Sequence, residues 1–148
     1  MITPEDHQLL RRAIAIAADA LTTNDAPYGS LLADDGGRVI IVAYNTVRRD
    51  NDITAHPELK LARWAAAELK PGAAARTTMY TSCQPCGMCT GAIVRSGLGR
   101  VVYALSSEQL VELNPGSAWP AVPIEGPALF DEARVPIERY YGIDRVDQ

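Results

Sequence analysis

Positive charge is scarce in this sequence of 148 residues, in which 14 lysines and arginines face 18 aspartates and glutamates. The formal net charge is −4, and Lys60 and Lys70 are the only lysines. Proteins that bind the phosphate backbone of a nucleic acid usually have a basic surface. The charge balance therefore disfavours nucleic acid as a partner, although it leaves a local basic patch open.

Long apolar segments are also missing. No run in the sequence approaches the roughly 18 to 20 residues that a helix needs to cross a bilayer. The N-terminal segment places Glu5 and Asp6 before its arginines, so it lacks the basic start, apolar block and cleavage site of a secretory signal. These absences predict a protein that works in the cytoplasm without contact to a membrane.

Cysteine is rare too, and its three occurrences, Cys83, Cys86 and Cys89, fall within seven positions. An odd and tightly clustered set does not form a disulfide framework. In a reducing compartment, such a cluster is typical of metal binding or redox chemistry. The cysteine pattern therefore leaves two kinds of site open, a metal centre and a redox pair.

Hydrophobic periodicity predicts a single α/β domain over residues 1–148. Helices are expected at residues 4–21, 55–69, 85–96, 106–113 and 128–141, and strands at residues 29–33, 38–43, 77–81 and 100–104. Strands that alternate with helices favour a central sheet covered on both faces, and this length usually forms one domain. Residues 114–127 are expected to form a loop, and Pro136 to break or kink the last helix.

Two cysteines are well placed for a metal. Pro85 favours a helix start, so Cys86 and Cys89, three residues apart, should share one face of the first turns. The positive end of the helix dipole favours thiolates at this place. The pair can therefore supply two corners of a zinc tetrahedron.

A second predicted helix start supplies a histidine and an acid. Thr54 can cap this helix and Pro57 fits its first turn, so His56 is well placed as a third zinc ligand. Three protein ligands leave one position for water, as in catalytic zinc sites. Glu58, two residues after His56, can take the proton of that water and pass it to a leaving nitrogen.

The third cysteine keeps two alternatives open. Cys83 could be a fourth ligand, which would make the zinc structural and the protein a non-catalytic zinc-binding module. Cys83 and Cys86 could also form a redox pair, although that leaves His56 and Glu58 unexplained. We favour the three-ligand site because Cys83 precedes Pro85 and should lie outside the helix.

The two motifs resemble those of the cytidine-deaminase-like zinc deaminases, in which H-x-E is followed by P-C-x-x-C. Here they are His56-Pro57-Glu58 and residues 85–89. The resemblance covers residues 4–104 and is closest to the branch of guanine deaminases and tRNA-adenosine deaminases. It implies a three-layer α/β/α sandwich with a central five-stranded mixed sheet, one Zn²⁺ per subunit and a homodimer.

The resemblance also implies contacts with a substrate. Asn45 is expected to hydrogen-bond the substrate ring, Tyr28 to line the pocket, and Ala55 to contact the substrate beside His56. Trp119 is an aromatic residue that could cover a planar base. The alternatives are a turn at a strand end for Asn45, and packing in the core or a dimer for Tyr28 and Trp119.

Three residues depart from the pattern of these deaminases. Pro57 and Ser30 stand where alanine is usual, and Gln84 replaces a frequent glutamate. None of them is a predicted zinc ligand or the predicted proton carrier. Ser30 and Gln84 are therefore the positions at which the pocket is expected to differ.

The predicted reaction is zinc-dependent hydrolytic deamination of a small aminated heterocycle, with release of ammonia. The scarcity of lysine favours a free nucleobase over RNA. Guanine is the first candidate, and cytosine, isoguanine and s-triazine or azacytosine analogues stay open. A nucleoside or tRNA-adenosine deaminase is the alternative within the same chemistry.

Overall fold

The computed structural model describes residues 1–143, and the chain forms two compact units, Met1–Ala118 and Trp119–Gln148. The elements of the first unit are α1 (Pro4–Asp19), β1 (Gly29–Ala33), β2 (Val39–Tyr44), α2 (Val47–Asp50), α3 (Pro57–Glu68), α4 (Pro71–Ala75), β3 (Thr78–Cys83), α5 (Gly87–Ser96), β4 (Arg100–Leu105) and α6 (Ser107–Leu113), with 3₁₀ turns at Ala20–Thr23 and Pro115–Ser117. The predicted α/β class is confirmed. The last five residues of the predicted domain lie outside the described part of the chain.

The strands form a mixed sheet in the order β2-β1-β3-β4. β1 pairs antiparallel with β2 and β3, whereas β3 pairs parallel with β4, as the crossover helix α5 between them requires. A tight turn joins β1 to β2, in which Asp34 Oδ1 accepts the N–H groups of Gly36 and Arg38 and Gly37 takes the left-handed conformation. This order places β3 and its carboxyl end between two other strands.

Helices pack on both faces of the sheet. The buried cluster on one face combines α1 with three strands and contains Leu10, Ala13, Ile16, Leu31, Ala33, Tyr80 and Val102. The cluster on the other face combines α3 and α5 with two strands and contains Leu32, Leu61, Ala62, Ala65, Met79 and Ile93. Leu31 and Leu32 join different clusters because successive strand side chains point to opposite faces. The packing fixes α3 and α5 side by side on one face.

A buried carboxylate fastens α1 to the sheet. Asp6 accepts two hydrogen bonds of 2.8 Å from the guanidinium of Arg100, one of 2.6 Å from the Tyr80 hydroxyl and one of 2.8 Å from the Thr3 N–H. These hydrogen bonds hold the pKa of Asp6 well below its usual range, and those from Arg100 have the largest effect. Burial and the same carboxylate raise the pKa of Tyr80 to about 12.

Asp6→Asn is expected to lower the free energy of unfolding at pH 7 by about 2 kcal/mol, less than for a fully buried ion pair because Arg100 is 41% exposed. The folded-state pKa of Asp6 lies below its unfolded value. Its carboxylate therefore stabilises the fold above an unfolded pKa of about 3.9, and this contribution is lost as pH falls towards the folded-state pKa. Urea unfolding at pH 7 and pH 3 should show the difference between the two proteins shrinking.

The matched control is Asp35→Asn. Asp35 forms a 3.5 Å pair with Arg76, and both side chains are well exposed. Exposed pairs contribute roughly 0 to 1 kcal/mol, so this variant should unfold almost like the wild type. Equal losses in the two variants would contradict a special role for the Asp6 cluster.

The described residues of the second unit contain one helix, α7 (Phe130–Tyr141). Pro136 lies inside α7 and does not end it, although a break or kink was predicted there. Arg134 donates to Asp131 at 3.2 Å and to Glu138 at 2.8 Å across successive turns. Arg134 and Glu138 are half-buried, and the other residues of this unit up to Ile143 are exposed.

The strand count differs from the prediction. The resemblance implied five strands, whereas residues 1–143 contain four. The segment after α6 carries Pro115, Pro120, Pro123 and Pro127, which lack the N–H that a strand ladder needs. The short helices α2 and α4 were not predicted. None of the helices in residues 1–143 is long and apolar enough to span a bilayer.

Candidate metal centre and active site

The three predicted metal ligands lie at the N-termini of two neighbouring helices. His56 is the N-cap of α3, and Cys86 is the N-cap of α5, both with extended backbone. Pro57 follows His56 and favours this extended conformation before the first turn. Cys86 was expected inside a helix that begins at Pro85, but α5 begins at Gly87, directly after Cys86. Cys89 lies in the first turn and is buried.

The ligand atoms of these residues converge. His56 Nδ1 lies 3.7 Å from Cys86 Sγ and 3.6 Å from Cys89 Sγ, and all the ligand atoms lie within 4.8 Å of one another. Tetrahedral zinc, with bonds of about 2.3 Å to sulfur and about 2.0 Å to nitrogen, separates such atoms by about 3.6 Å. The donor set and its spacing therefore fit a zinc ion.

Cys83 lies outside this cluster. It is the last residue of β3 and is buried, and within residues 1–143 the metal-ligand group contains only His56, Cys86 and Cys89. Burial, followed by the charge of Glu58, raises the pKa of the Cys83 thiol. The geometry therefore favours three protein ligands with a fourth position open, which is the arrangement of catalytic zinc.

The carboxylate of Glu58 lies in the first turn of α3 and is 5% exposed. Its Oε1 accepts hydrogen bonds from Thr81 Oγ1 at 2.9 Å and from Ser30 Oγ at 3.2 Å. Burial and then the nearby Glu58 raise the pKa of the Cys89 thiol. Glu58 is therefore a buried carboxylate that lies two residues after the ligand His56, at the same helix start.

The loop between β2 and α3 brings two of the predicted substrate contacts near the cluster. Asn45 is 4% exposed, and its Oδ1 accepts the N–H of Val47 at 2.8 Å. Ala55 is buried, donates its N–H to Asp52 and accepts the N–H of Thr46 through its carbonyl. These bonds leave the Nδ2 group of Asn45 and the methyl group of Ala55 as the parts suited to contact a ligand.

Tyr28 lies next to the start of β1. Burial, then the charges of Cys83 and Glu58, raise the pKa of its phenol. Its carbonyl accepts the N–H of Asn45 at 2.9 Å, which joins these two predicted contact residues through the backbone. Tyr28 therefore lies in the same neighbourhood as Glu58, as a wall residue would.

Two side chains that the sequence reasoning overlooked hold this loop. Lys60 donates to the carbonyl of Tyr44 at 2.9 Å and to Thr46 Oγ1 at 2.6 Å. Asp25 is buried and accepts the N–H groups of Arg48 and Arg49 in α2. Hydrogen bonds lower the pKa of the Asp25 carboxyl, and the bond from the Thr23 hydroxyl has the largest effect. No local pattern signals this role of Asp25, because its bonds to the α2 backbone span 23 and 24 residues.

Two further positions that the sequence singled out are Gln84 and Trp119. Gln84 Oε1 accepts the N–H of Ser107 at 3.0 Å, so this side chain ties the loop after β3 to the first turn of α6. Trp119 is the first residue of the second unit and is 69% exposed. Neither the Gln84 bond nor the exposure of Trp119 gives these residues a role in chemistry.

Known proteins resemble this chain in sequence and in fold. The family described as the cytidine and deoxycytidylate deaminase zinc-binding region matches residues 3–105. The protein named "Probable cytosine deaminase" of Schizosaccharomyces pombe is 30% identical over 95% of this chain and 94% of its own length. A tRNA-specific adenosine deaminase of Haemophilus influenzae is 32% identical over 68% of this chain and 58% of its own length.

A solved structure agrees with these sequence matches. The guanine deaminase of Bacillus subtilis superposes with a TM-score of 0.73 at 28% identity, covering 96% of this chain and 97% of that chain. The family model covers more than two thirds of the chain and includes both motifs of the cluster, so the predicted family and its zinc cofactor are confirmed. The chain belongs to the cytidine and deoxycytidylate deaminase family of zinc-dependent enzymes.

Proposed function

We propose that this deaminase acts on a free nucleobase or a related aminated heterocycle and converts one exocyclic amino group to a carbonyl. The observation that carries the proposal is the buried carboxylate of Glu58 in the first turn of α3, two residues after His56 of the ligand cluster. We assign metal binding to these three residues and proton transfer to Glu58. A hydrolytic reaction needs these two functions in one place.

The bound metal and Glu58 have different roles in the proposed reaction. When bound, zinc supplies a Lewis acid that makes water a nucleophile near neutral pH. Glu58 accepts a proton from the attacking water and delivers it to the departing amino nitrogen. The ring carbon gains a bond to oxygen and loses its bond to nitrogen, so water and the amine become a carbonyl and ammonia. The burial of Glu58 limits proton exchange with bulk water.

The proposed substrate contacts follow from the atoms left available around Glu58. With Oδ1 held by Val47, Asn45 offers its two Nδ2 donors to an acceptor on the ring. Tyr28 forms a wall beside Glu58, and Ala55 offers a small apolar contact. Trp119 stays a predicted substrate contact on the sequence argument alone, because an indole ring can stack on a planar base.

A small base is the proposed substrate class. In sequence alignments, the relatives named as cytosine deaminase and guanine deaminase are matched over 94% and 80% of their lengths, against 58% for the tRNA-specific deaminase. The net charge of −4 also disfavours a polyanionic substrate. Guanine remains the first candidate, and a tRNA adenosine is the alternative that the third relative supports.

Three features of the assembly are part of the proposal. The helices on both faces of the sheet support a three-layer α/β/α sandwich. We also propose that residues 1–148 act as one deaminase domain, and that the protein is a cytoplasmic homodimer. The resemblance to the family supports the dimer, and the unpaired, clustered cysteines support the reducing location.

An ammonia-release screen tests the substrate class. Purified zinc-loaded protein should release ammonia from at least one free base, with guanine, cytosine, isoguanine and s-triazines tested beside their nucleosides and an adenosine-34 tRNA anticodon stem. We expect kcat/KM for the best free base to exceed that for its nucleoside by at least tenfold. Turnover confined to the RNA would replace the proposed substrate, and silence on every compound would contradict the proposal.

A further inference from the structure

Two buried hydroxyl groups lie against the carboxylate of Glu58. Ser30 of β1 and Thr81 of β3 are direct cross-strand partners, and both are fully buried. Their oxygens are 2.8 Å apart, and they lie 3.2 Å and 2.9 Å, respectively, from Glu58 Oε1. The three oxygens therefore form a closed triangle inside the protein.

The sheet changes from apolar to polar at this position. The next pair on the same face, Leu32 and Met79, is apolar and packs in the core with α3 and α5. Burying a hydroxyl costs free energy unless it is hydrogen-bonded. Within residues 1–143, the two hydroxyls contact, besides each other and Glu58, only the Gly29 carbonyl, which lies 3.5 Å from Thr81 Oγ1. Core packing would be served by a second apolar pair, so the carboxylate accounts for the hydroxyls.

Both hydroxyls of the triangle lie against the same oxygen of Glu58, Oε1. Each hydroxyl has one proton to donate. Ser30 can donate to Thr81 while Thr81 donates to Glu58 Oε1, and Ser30 can also turn its proton to Oε1. In both arrangements Oε1 accepts. The hydroxyls therefore engage one carboxylate oxygen and leave the exchange of protons to Oε2.

We propose that Ser30 and Thr81 are positioning residues that hold Glu58 Oε1, so that Oε2 faces the reacting water and the departing nitrogen. This inference rests on the proposed function. The side chain of Glu58 has three rotatable bonds, and a fixed Oε1 removes the freedom of its carboxylate to turn. The hydroxyls of Ser30 and Thr81 contact the carboxylate, and both residues are fully buried. They should therefore affect proton transfer by Glu58 and not the affinity for substrate.

The test uses Thr81→Val, Ser30→Ala and the double variant, with the best substrate from the ammonia screen. Thr81→Val should lower kcat by about tenfold, less than the roughly 100-fold that a misplacement of about 1 Å can cost. KM should stay within about twofold of wild type, and zinc should stay near one per subunit by elemental analysis. Thr81→Ser, which restores the hydroxyl, should recover most of kcat.

Thr77→Val is the matched control. Thr77 is a buried threonine next to the other end of β3, and its hydroxyl donates to the carbonyl of Ala73 at 2.9 Å. It should lose stability in thermal unfolding as Thr81→Val does, but keep the wild-type kcat. If Thr81→Val fails to fold, Ser30→Ala and Thr81→Ser carry the comparison.

The possible outcomes separate the two proposals. Wild-type kcat in Thr81→Val and Ser30→Ala, a loss that Thr81→Ser does not recover, or a loss of zinc in these variants would overturn the positioning role. A wild-type protein that releases no ammonia from any compound would instead overturn the proposed function. A tenfold loss of kcat with zinc and KM preserved supports both.

Discussion

Glu58→Gln is expected to slow ammonia release by about 1,000-fold, within the roughly 100- to 10,000-fold that positioned acid–base groups contribute. Glutamine has nearly the same shape, and its carbonyl oxygen can still accept the hydroxyls of Ser30 and Thr81. It cannot carry the proton between water and the departing nitrogen. The variant should therefore fold and keep its zinc, and steady-state kinetics with elemental analysis will separate these properties.

Glu68→Gln on the same helix is the control for this prediction. Glu68 is the last residue of α3 and is exposed, so the substitution changes the charge of the helix equally without touching the metal cluster. It should retain wild-type turnover. A Glu58→Gln protein that retained more than a tenth of wild-type turnover would remove Glu58 from the proposed chemistry and leave the water without its proton acceptor.

Much of the metal site could be predicted because local signals specify where a helix begins. Pro57 is the first residue of α3, Pro85 lies two residues before α5, and the ligands His56 and Cys86 are the N-caps of these helices. The remaining step, that the two starts meet, needed the family resemblance. The helix α5 begins at Gly87 and not at Pro85, and this error of two residues was harmless because the N-cap Cys86 and Cys89 of the first turn still bring their sulfurs together.

The surroundings of Glu58 could not be predicted from local patterns. Ser30 and Thr81 are 51 residues apart, and they meet only through the register of β1 with β3. A single serine in a strand carries no signal of its partner. The same holds for Asp25, whose bond to the α2 backbone spans 23 residues. Such contacts follow from tertiary pairing, which periodicity does not encode.

Hydrophobic periodicity predicted the strands better than it predicted the shortest helices. The predicted strand at residues 29–33 coincides with β1, because Leu31, Leu32 and Ala33 form an apolar run that the turn signal of residues 34–37 ends. Helices α2 and α4 have four and five residues, which is too short for a repeat of 3.6 to be visible. The fifth strand was a property of the family, and the proline-rich residues after α6 do not form it within the described chain.

Cys89→Ser is expected to remove zinc and turnover together. Cys89 is buried and within 3.6 Å of His56 Nδ1, so the substitution deletes one of three protein ligands. Loss of a group that only supports a ligand costs roughly 10- to 100-fold in metal affinity, and loss of the ligand itself should cost more. Zinc titration in a competing chelator gives the affinity. The wild type should lose thermal stability when the chelator removes its metal, because zinc binds only the folded site.

Cys83→Ala decides between the catalytic and the structural arrangement. The cysteine is buried at the end of β3, three residues before the N-cap of α5, so it has the spacing of a ligand without belonging to the cluster. If the site has three protein ligands, Cys83→Ala should bind zinc with wild-type affinity while Cys89→Ser does not. If Cys83 were a fourth ligand, both variants would lose zinc alike, and no position would remain for water. The pair of affinities therefore tests the open position on which hydrolysis depends.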